Sequence, residues 1–528
     1  MNQDLEVNMM SWIVLGEEKS KVKIVSKSVV TGLLPKGSYL TVEQEDSKFI
    51  LRVDISFQSQ PYSPTPLIAD MDLTSLIQDQ KCQNIILATR IKDISKRTDG
   101  LIDYLKPQNI ARRSNQEEIN LAVGSVKDGV KVFPATIYAN ENQLLTDNEG
   151  NYISVSLPED MYYHQILICG KTGTGKTVAA KTLSQFFVEK IGGCVLAINV
   201  KEADFLRMDA ASKTRNQSIF KEWNYLKEDP HGIGSFTIYY PASAEITASK
   251  KVNPDLCKKI TLDVKKIDPE SLIGLLTGIS DKASQSLPNI FRYWQTRKMI
   301  AQSPRDFTFM SFLNYFNEED SREFSTMNVR GETSTIKLHP GTYENIQRNL
   351  DRATEFFDNK EAITIDESDI LIPGKMSVID VANKNGVQFG SILLRDLLNK
   401  IVNAKSRLDY DVPILIIIDE VHQFYNNETA TEALGDLDTI CRTGRSMKIG
   451  VIFSSQNPND IPRGLSSVIN TKIFFKSDRN EAKKHGINIT NEEMESLKKG
   501  FACCTIFDMS QLKIVKFPLS YAGVFEGD

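Results

Sequence analysis

Gly170-Lys171-Thr172-Gly173-Thr174-Gly175-Lys176-Thr177 decides the reading of this chain, because it fills G-x-x-x-x-G-K-[ST] at every fixed position. Glycines let the backbone curl until several N–H groups point at one anion, and a following helix adds its positive end. Gly170, Thr172, Gly173, Thr174 and Gly175 are the expected cradle. Lys176 is expected to reach the β- and γ-phosphates, and the Thr177 hydroxyl to take a Mg2+ position. The surroundings suit the motif: residues 165–169 read as a short apolar strand, 177–190 as a helix and 194–200 as a second buried strand. That order predicts a parallel, doubly wound sheet.

Such a loop needs a carboxylate partner, and Ile414-Leu415-Ile416-Ile417-Ile418-Asp419-Glu420 supplies one. Five apolar residues make a buried strand with two acids at its C-terminal end. Asp419 is expected to hold Mg2+ through its water shell. Glu420 is expected to orient and deprotonate the attacking water. Together the two stretches imply an ATPase that uses ATP and Mg2+. Gly450-Val451-Ile452-Phe453-Ser454-Ser455-Gln456 is a further strand with a polar end, and Gln456 suits a γ-phosphate sensor of a RecA-like ATPase. Upstream, Cys441-Arg442-Thr443-Gly444-Arg445 offers a guanidinium that serves either as an arginine finger in a neighbouring subunit's site or as a surface charge. His422, two residues past the acid pair, has no ligand-spaced partner and is read as near the nucleotide or on the surface.

Working outward, residues 1–110 carry short β-branched and aromatic runs separated by turn signals, which predicts a small barrel or sandwich. Strand-like pieces are expected at 84–91 and 119–137, with 140–158 as a connector. Strands are also expected at 375–381, 413–419, 448–455, 471–476 and 502–507, and helices at 390–408 and 429–443. Between about 250 and 365 the strand signal fades and helical spacing appears, as at Ile346, Leu350, Ala353 and Phe357. The expected division is therefore an N-terminal β-barrel over 1–140, a RecA-like P-loop domain over 141–250 and 366–528, and a helical insertion, a bundle, over 251–365. The fold class is α/β.

Composition narrows the partners. With 528 residues, 41% hydrophobic and 25% charged, disordered and fibrous classes fall away. No apolar run approaches the ~18 residues of a membrane span, and Met1–Met10 has no basic-then-apolar leader pattern. Seven scattered cysteines without a C-x-x-C pair argue against a disulfide framework or a zinc site. A cytoplasmic protein without membrane contact is expected. The net charge of −5 excludes a basic nucleic-acid coat protein but leaves a local basic channel open.

The residues GKTGTGKT at 170–177, IIIDEVHQF at 416–424 and GRSMKIGVIFSSQNPNDIP at 444–462, followed by Ile469-Asn470-Thr471, resemble the HerA branch of the HerA–FtsK superfamily of hexameric DNA-pumping ATPases. The likeness is strong over 165–200 and 410–475 and architectural elsewhere. It implies ATP-driven translocation of double-stranded DNA through a homohexameric ring. It also implies phosphate and Mg2+ binding by Lys176 and Thr177, metal holding by Asp419, water activation by Glu420, sensing by Gln456 and a finger at Arg445 acting across a subunit interface. Partners of such motors include a NurA-like nuclease or a sirtuin-like NAD-hydrolase, in DNA-end processing or anti-phage defence. A scaffold that uses ATP to assemble and activate such an effector is the competing expectation. Asn199-Val200-Lys201-Glu202-Ala203-Asp204 departs from the family's acidic motif after the second strand, and Ser454-Ser455-Gln456 from its ATQ element. Basic stretches at 472–484 and 258–266 are the candidate DNA-facing loops.

Overall fold

The computed structural model describes residues 12–526 apart from 19, 28–32, 60–82, 96–100, 202–203, 248, 276–280, 299–306, 319–320, 383–385, 422–436, 438–439 and 462. The chain divides into two compact units, residues 1–159 with 473–518 and residues 160–472 with 519–528.

In the first unit, alternation of apolar and polar residues builds β1 (Trp12–Glu18), β2 (Lys21–Lys27), β3 (Tyr39–Gln44), β4 (Ser47–Ser59), β5 (Gln83–Ser95) and β6 (Ile110–Arg113). They close as a barrel in the order β1-β2-β5-β4-β3-β6, around Val14, Ile24, Leu40, Val42, Phe49, Leu51, Val53 and Ile86. Register shifts between β4 and β5 at Ile50/Leu51 and Val53/Ile55 bend the two longest strands around the wall. The expected barrel is therefore present.

Two expectations beside it are corrected. Residues 119–137 are not one strand: Gln116–Val123 is a helix, and only Val130–Tyr138 is a strand, β7. Asn115 and Glu118 form a reciprocal capping box, and Gly124 ends the helix at φ 76°. Ile119, Ala122 and Val123 then fall on one buried face at helical spacing. Nor is 140–158 a plain connector. It holds β8 (Glu141–Leu144) and β9 (Val155–Leu157), each antiparallel to β7. Strands this short declare themselves only through a partner.

Glu118 ties that helix to the barrel. Its carboxylate accepts hydrogen bonds from Arg112 (2.7 and 2.9 Å), Lys48 (3.0 Å), the Thr41 hydroxyl (2.9 Å) and the Asn115 N–H (3.0 Å). Burial alone pushes its pKa up, but Arg112, the Asn115 N–H, Lys48 and Thr41 outweigh it and bring the carboxyl down to about 2. A depressed acid contributes stability above its unfolded pKa, near 4.5, and loses it as pH falls towards 2. Glu118→Gln is expected to destabilise the protein by about 2 kcal/mol at neutral pH, a figure discounted because Arg112 and Lys48 are partly solvated. The difference from wild type is expected to shrink between pH 4.5 and 2 in denaturant melts.

The second unit opens on β10 (Ile166–Cys169), followed by β11 (Cys194–Asn199), β12 (Ser235–Pro241), β13 (Cys257–Ile260), β14 (Glu323–Met327), β15 (Thr333–Lys337), β16 (Lys375–Asp380), β17 (Ile414–Ile418), β18 (Ile449–Ser455) and β19 (Thr471–Phe474), whose last two residues count with the first unit. Its main sheet runs β13-β12-β16-β11-β17-β18-β10-β19. The pairs from β13 through to β10 are parallel. All residues of β10, β11, β16, β17 and β18 are buried, as expected when helices cover both faces.

Residues 251–365, expected as a helical bundle, hold the helices Asp281–Tyr293, Phe309–Asn317 and Pro340–Ala353 together with the edge strand β13 and the hairpin β14–β15. The hairpin turns at Asn328–Gly331, where the Asn328 side chain accepts the Arg330 and Glu332 N–H groups and Gly331 takes φ 82°. Aromatic rings join it to the helices: Phe316 stacks on Phe324 and on Tyr343, with centroids 4.7 and 5.0 Å apart. The unit is mixed because Glu323–Met327 and Thr333–Lys337 are rich in β-branched and hydroxyl residues flanking a turn.

The last two strands, β20 (Phe501–Thr505) and β21 (Ile514–Lys516), pair with each other, and β21 with β7. Residues 473–518 thus belong to the first unit, whereas the sequence reading assigned them to the P-loop domain.

Candidate nucleotide site

Parallel register brings distant residues to one edge. Cys169 lies opposite Ser455, Ile418 opposite Phe453 and Ile198 opposite Ile418. Whatever follows β10, β11, β17 and β18 therefore emerges at the C-terminal edge of the sheet. These are the loop at 170–175, Lys201, the pair Asp419-Glu420, and Gln456.

The loop has the shape its glycines predict. Gly173 and Gly175 take φ 77° and 119°, in the region open to glycine, and a Cβ at Gly173 would meet nothing within 4 Å. The Thr174 hydroxyl donates to the Lys171 carbonyl at 2.7 Å. Lys176 folds back over the loop and donates from Nζ to the Gly170 and Lys171 carbonyls at 2.8 and 3.3 Å. The helix Lys176–Glu189 starts at Gly175 with no side-chain cap, which leaves its first N–H groups without a capping side chain at the loop. Burial pulls the Lys176 pKa down, while the charges of Glu420 and Asp419 oppose that. Uncapped N–H donors, an ammonium and open space over Gly173 fit a polyphosphate. The Thr177 hydroxyl and the Asp419 carboxylate are hard oxygen donors of the kind Mg2+ takes.

The two acids differ sharply in setting. Asp419 is buried, with Oδ1 accepting the Glu420 N–H at 3.0 Å. Burial pushes its pKa up, and the neighbouring Glu420 charge adds to that. Glu420 sits at φ 46°, a left-handed conformation unusual outside glycine and a recurrent feature of functional turns. Lys201 donates from Nζ to Glu420 Oε1 at 2.7 Å, and Gln456 donates from Nε2 to Oε1 and Oε2 at 3.3 and 3.4 Å. Burial again pushes upward, but Lys201, Gln456 and the Lys176 charge outweigh it and lower the Glu420 pKa. At neutral pH Glu420 is an ionised carboxylate with defined partners.

Gly170, Thr172, Gly173, Thr174, Gly175, Lys176, Thr177, Asp419, Glu420 and Gln456 thus gather at one edge, as expected. Arg445 does not join them. It is exposed in the turn preceding β18, and β18 spans about 20 Å to the edge where Gln456 stands. Its guanidinium makes no ion pair among the described residues. His422 lies outside the described residues.

Lys201 was passed over in the sequence as part of a divergent motif. The signal was its position: a cation directly after the strand that neighbours the acid-bearing one. The basic stretch at 472–484 is not an open loop. Lys472 lies on β19 and is half-buried, Lys476 pairs with Glu495 at 3.1 Å, Arg479 donates to the Ile489 carbonyl, and Lys484 pairs with Glu481 at 2.8 Å. Lys258 and Lys259 are exposed on edge strand β13, while Lys266 pairs with Asp366 at 3.0 Å. Among the described residues no helix is long and apolar enough to cross a membrane.

The chain is similar to several known proteins. The family model described as "Helicase HerA, central domain" matches residues 143–421. The chain is 24% identical over 340 residues to the "DNA double-strand break repair helicase HerA" of Pyrococcus furiosus, covering 58% of this chain and 55% of that protein. It is 24% identical over 404 residues to the protein of the same description from Saccharolobus solfataricus, covering 74% and 71%. The first of these alignments spans about half of the relative's length. Among solved structures, VirB4 of Thermoanaerobacter pseudethanolicus is similar at TM-score 0.44 and 14% identity, covering 74% of this chain and 97% of that one. More than half of the sequence lies within the matched central domain, and the chain belongs to the HerA helicase family.

Proposed function

We propose that this protein is a Mg2+-dependent ATP hydrolase that works as a homohexameric ring and drives double-stranded DNA through its centre. In this reading it is cytoplasmic and acts with an effector, a NurA-like nuclease or a sirtuin-like NAD-hydrolase, in DNA-end processing or anti-phage defence. One observation carries the reading: Lys176 and the ionised Glu420 stand at the same sheet edge, one suited to hold a terminal phosphate and the other to take a proton from water. Family membership supports it, because the matched relatives are named as DNA double-strand break repair helicases. The loop from Gly170 to Gly175 cradles the phosphates, and Thr177 and Asp419 hold Mg2+, which when bound neutralises phosphate charge. Glu420 orients and deprotonates water, and Gln456 senses the terminal phosphate.

Filter binding of duplex DNA over a salt series, paired with ATPase assays, tests the motor. Binding is expected to weaken steeply as salt rises, because phosphate contacts release counterions, and hydrolysis to rise when DNA is added. Salt-independent binding, or DNA-independent turnover alongside a stable complex with an effector, would replace the motor with an ATP-regulated scaffold.

Arg445 fits this scheme only in trans, since its place before β18 puts it far from its own chain's site. Arg445→Ala and Lys176→Ala chains are each expected to be inactive alone. Coexpressed in equal amounts, they are expected to recover activity at about one interface in four, where an intact loop meets an intact arginine. Absence of rescue in rings shown to be mixed would remove Arg445 from the site.

A further inference from the structure

Glu420 stands in the turn after buried strand β17, and its side chain has three rotatable bonds with which to miss the water it must reach. A base works only when one oxygen is held within hydrogen-bond reach of the proton it takes, and a misplacement near 1 Å costs up to about 100-fold. Gln456 and Lys201 both hold this carboxylate, from the strands on either side of β17. Gln456, after β18, contributes neutral N–H contacts at 3.3 and 3.4 Å. Lys201, after β11, contributes the shorter contact, an ammonium 2.7 Å from Oε1.

The turn carrying Lys201 is itself anchored. The Asn199 side chain donates to Asp380 Oδ1 at 3.0 Å and accepts the Phe205 N–H at 3.2 Å, both inside the protein. The other Asp380 oxygen accepts the Thr247 N–H at 2.8 Å. The backbone on both sides of Lys201 is thereby tied to β16, so the ammonium is presented from a braced position although its side chain is 43% exposed. Parallel pairing of β11 with β17 sets the two residues side by side, through Ile198 opposite Ile418.

We infer that Lys201 is a positioning residue for Glu420, acting through the carboxylate and not on the nucleotide. The inference rests on the proposed role of Glu420 as base. An ion pair between a half-exposed lysine and a buried carboxylate suits this use: it adds a modest stability and selects one orientation of the carboxylate. Lys201→Met keeps the stem and removes the charge.

Lys201→Met is expected to lower kcat about tenfold and to leave the calorimetric affinity for a non-hydrolysable ATP analogue unchanged. Lys201→Arg is expected to restore most of the rate. In the Glu420→Gln background, Lys201→Met is expected to have no further effect on kcat, and to lower the melting temperature less than it does in the wild type. The melting-temperature cycle reads the pair without any turnover. Unchanged or raised kcat in Lys201→Met, or an equal loss with and without Glu420, would overturn the assignment. An active Glu420→Gln protein would overturn the base itself, so failure of the proposed function is distinguishable from failure of this inference.

Discussion

Glu420→Gln is expected to lower kcat for ATP hydrolysis by about 10²–10⁴-fold while leaving ATP affinity close to that of the wild type. The substitution preserves shape and lets the amide oxygen keep accepting from Lys201 and Gln456, the two donors at 2.7 and 3.3 Å. What disappears is a group able to take a proton from water. Because glutamine keeps the shape and the contacts to Lys201 and Gln456, ground-state binding is expected to change little. Steady-state kinetics with calorimetry on the same preparation checks both halves. A variant turning over within a few-fold of wild type would reject Glu420 as base and leave Asp419 as the remaining acid of the pair.

Lys176→Ala is expected to weaken ATP binding by at least about 100-fold, the scale of losing charge-assisted contacts to phosphate. A second loss adds to the first. Lys176 Nζ also donates to the Gly170 and Lys171 carbonyls at the start of the loop, so alanine removes a brace of the cradle as well. Calorimetric titration with an ATP analogue reads the effect. Lys176→Arg, which retains charge but not the compact ammonium, is expected to recover only part of the affinity. Affinity unchanged in the alanine variant would mean that nucleotide binds elsewhere.

Much of this site was legible in the sequence because each part is local. A curled glycine loop after an apolar strand and two acids ending another need only their own neighbours to be recognised. The barrel was legible for a similar reason, since alternation along β1 to β5 survives in any environment. Residues 116–123 were not, because a stretch as short as Ile119-Asn120-Leu121-Ala122-Val123 suits strand or helix until the Asn115–Glu118 box is noticed. The hairpin β14–β15 was missed for its short, polar strands, half-exposed and held by Phe324 against Phe316. The assignment of 473–518 failed because strand order, not chain order, decides which unit a segment joins, and β21 pairs with β7 across a long interval of sequence.

By itself, then, the sequence determined the proposed chemistry: a loop suited to phosphate, an acid suited to a metal and a second acid suited to take a proton, all of them properties of residue type and short spacing. Only the tertiary structure decided which side chains act together. Parallel register set the end of β11 beside the end of β17, so that Lys201 became the partner of Glu420, and it left Arg445 near the opposite edge from its own chain's site. Ion pairs between residues 219 apart in sequence have no signature in the chain, because their geometry is fixed by hydrogen bonds between strands.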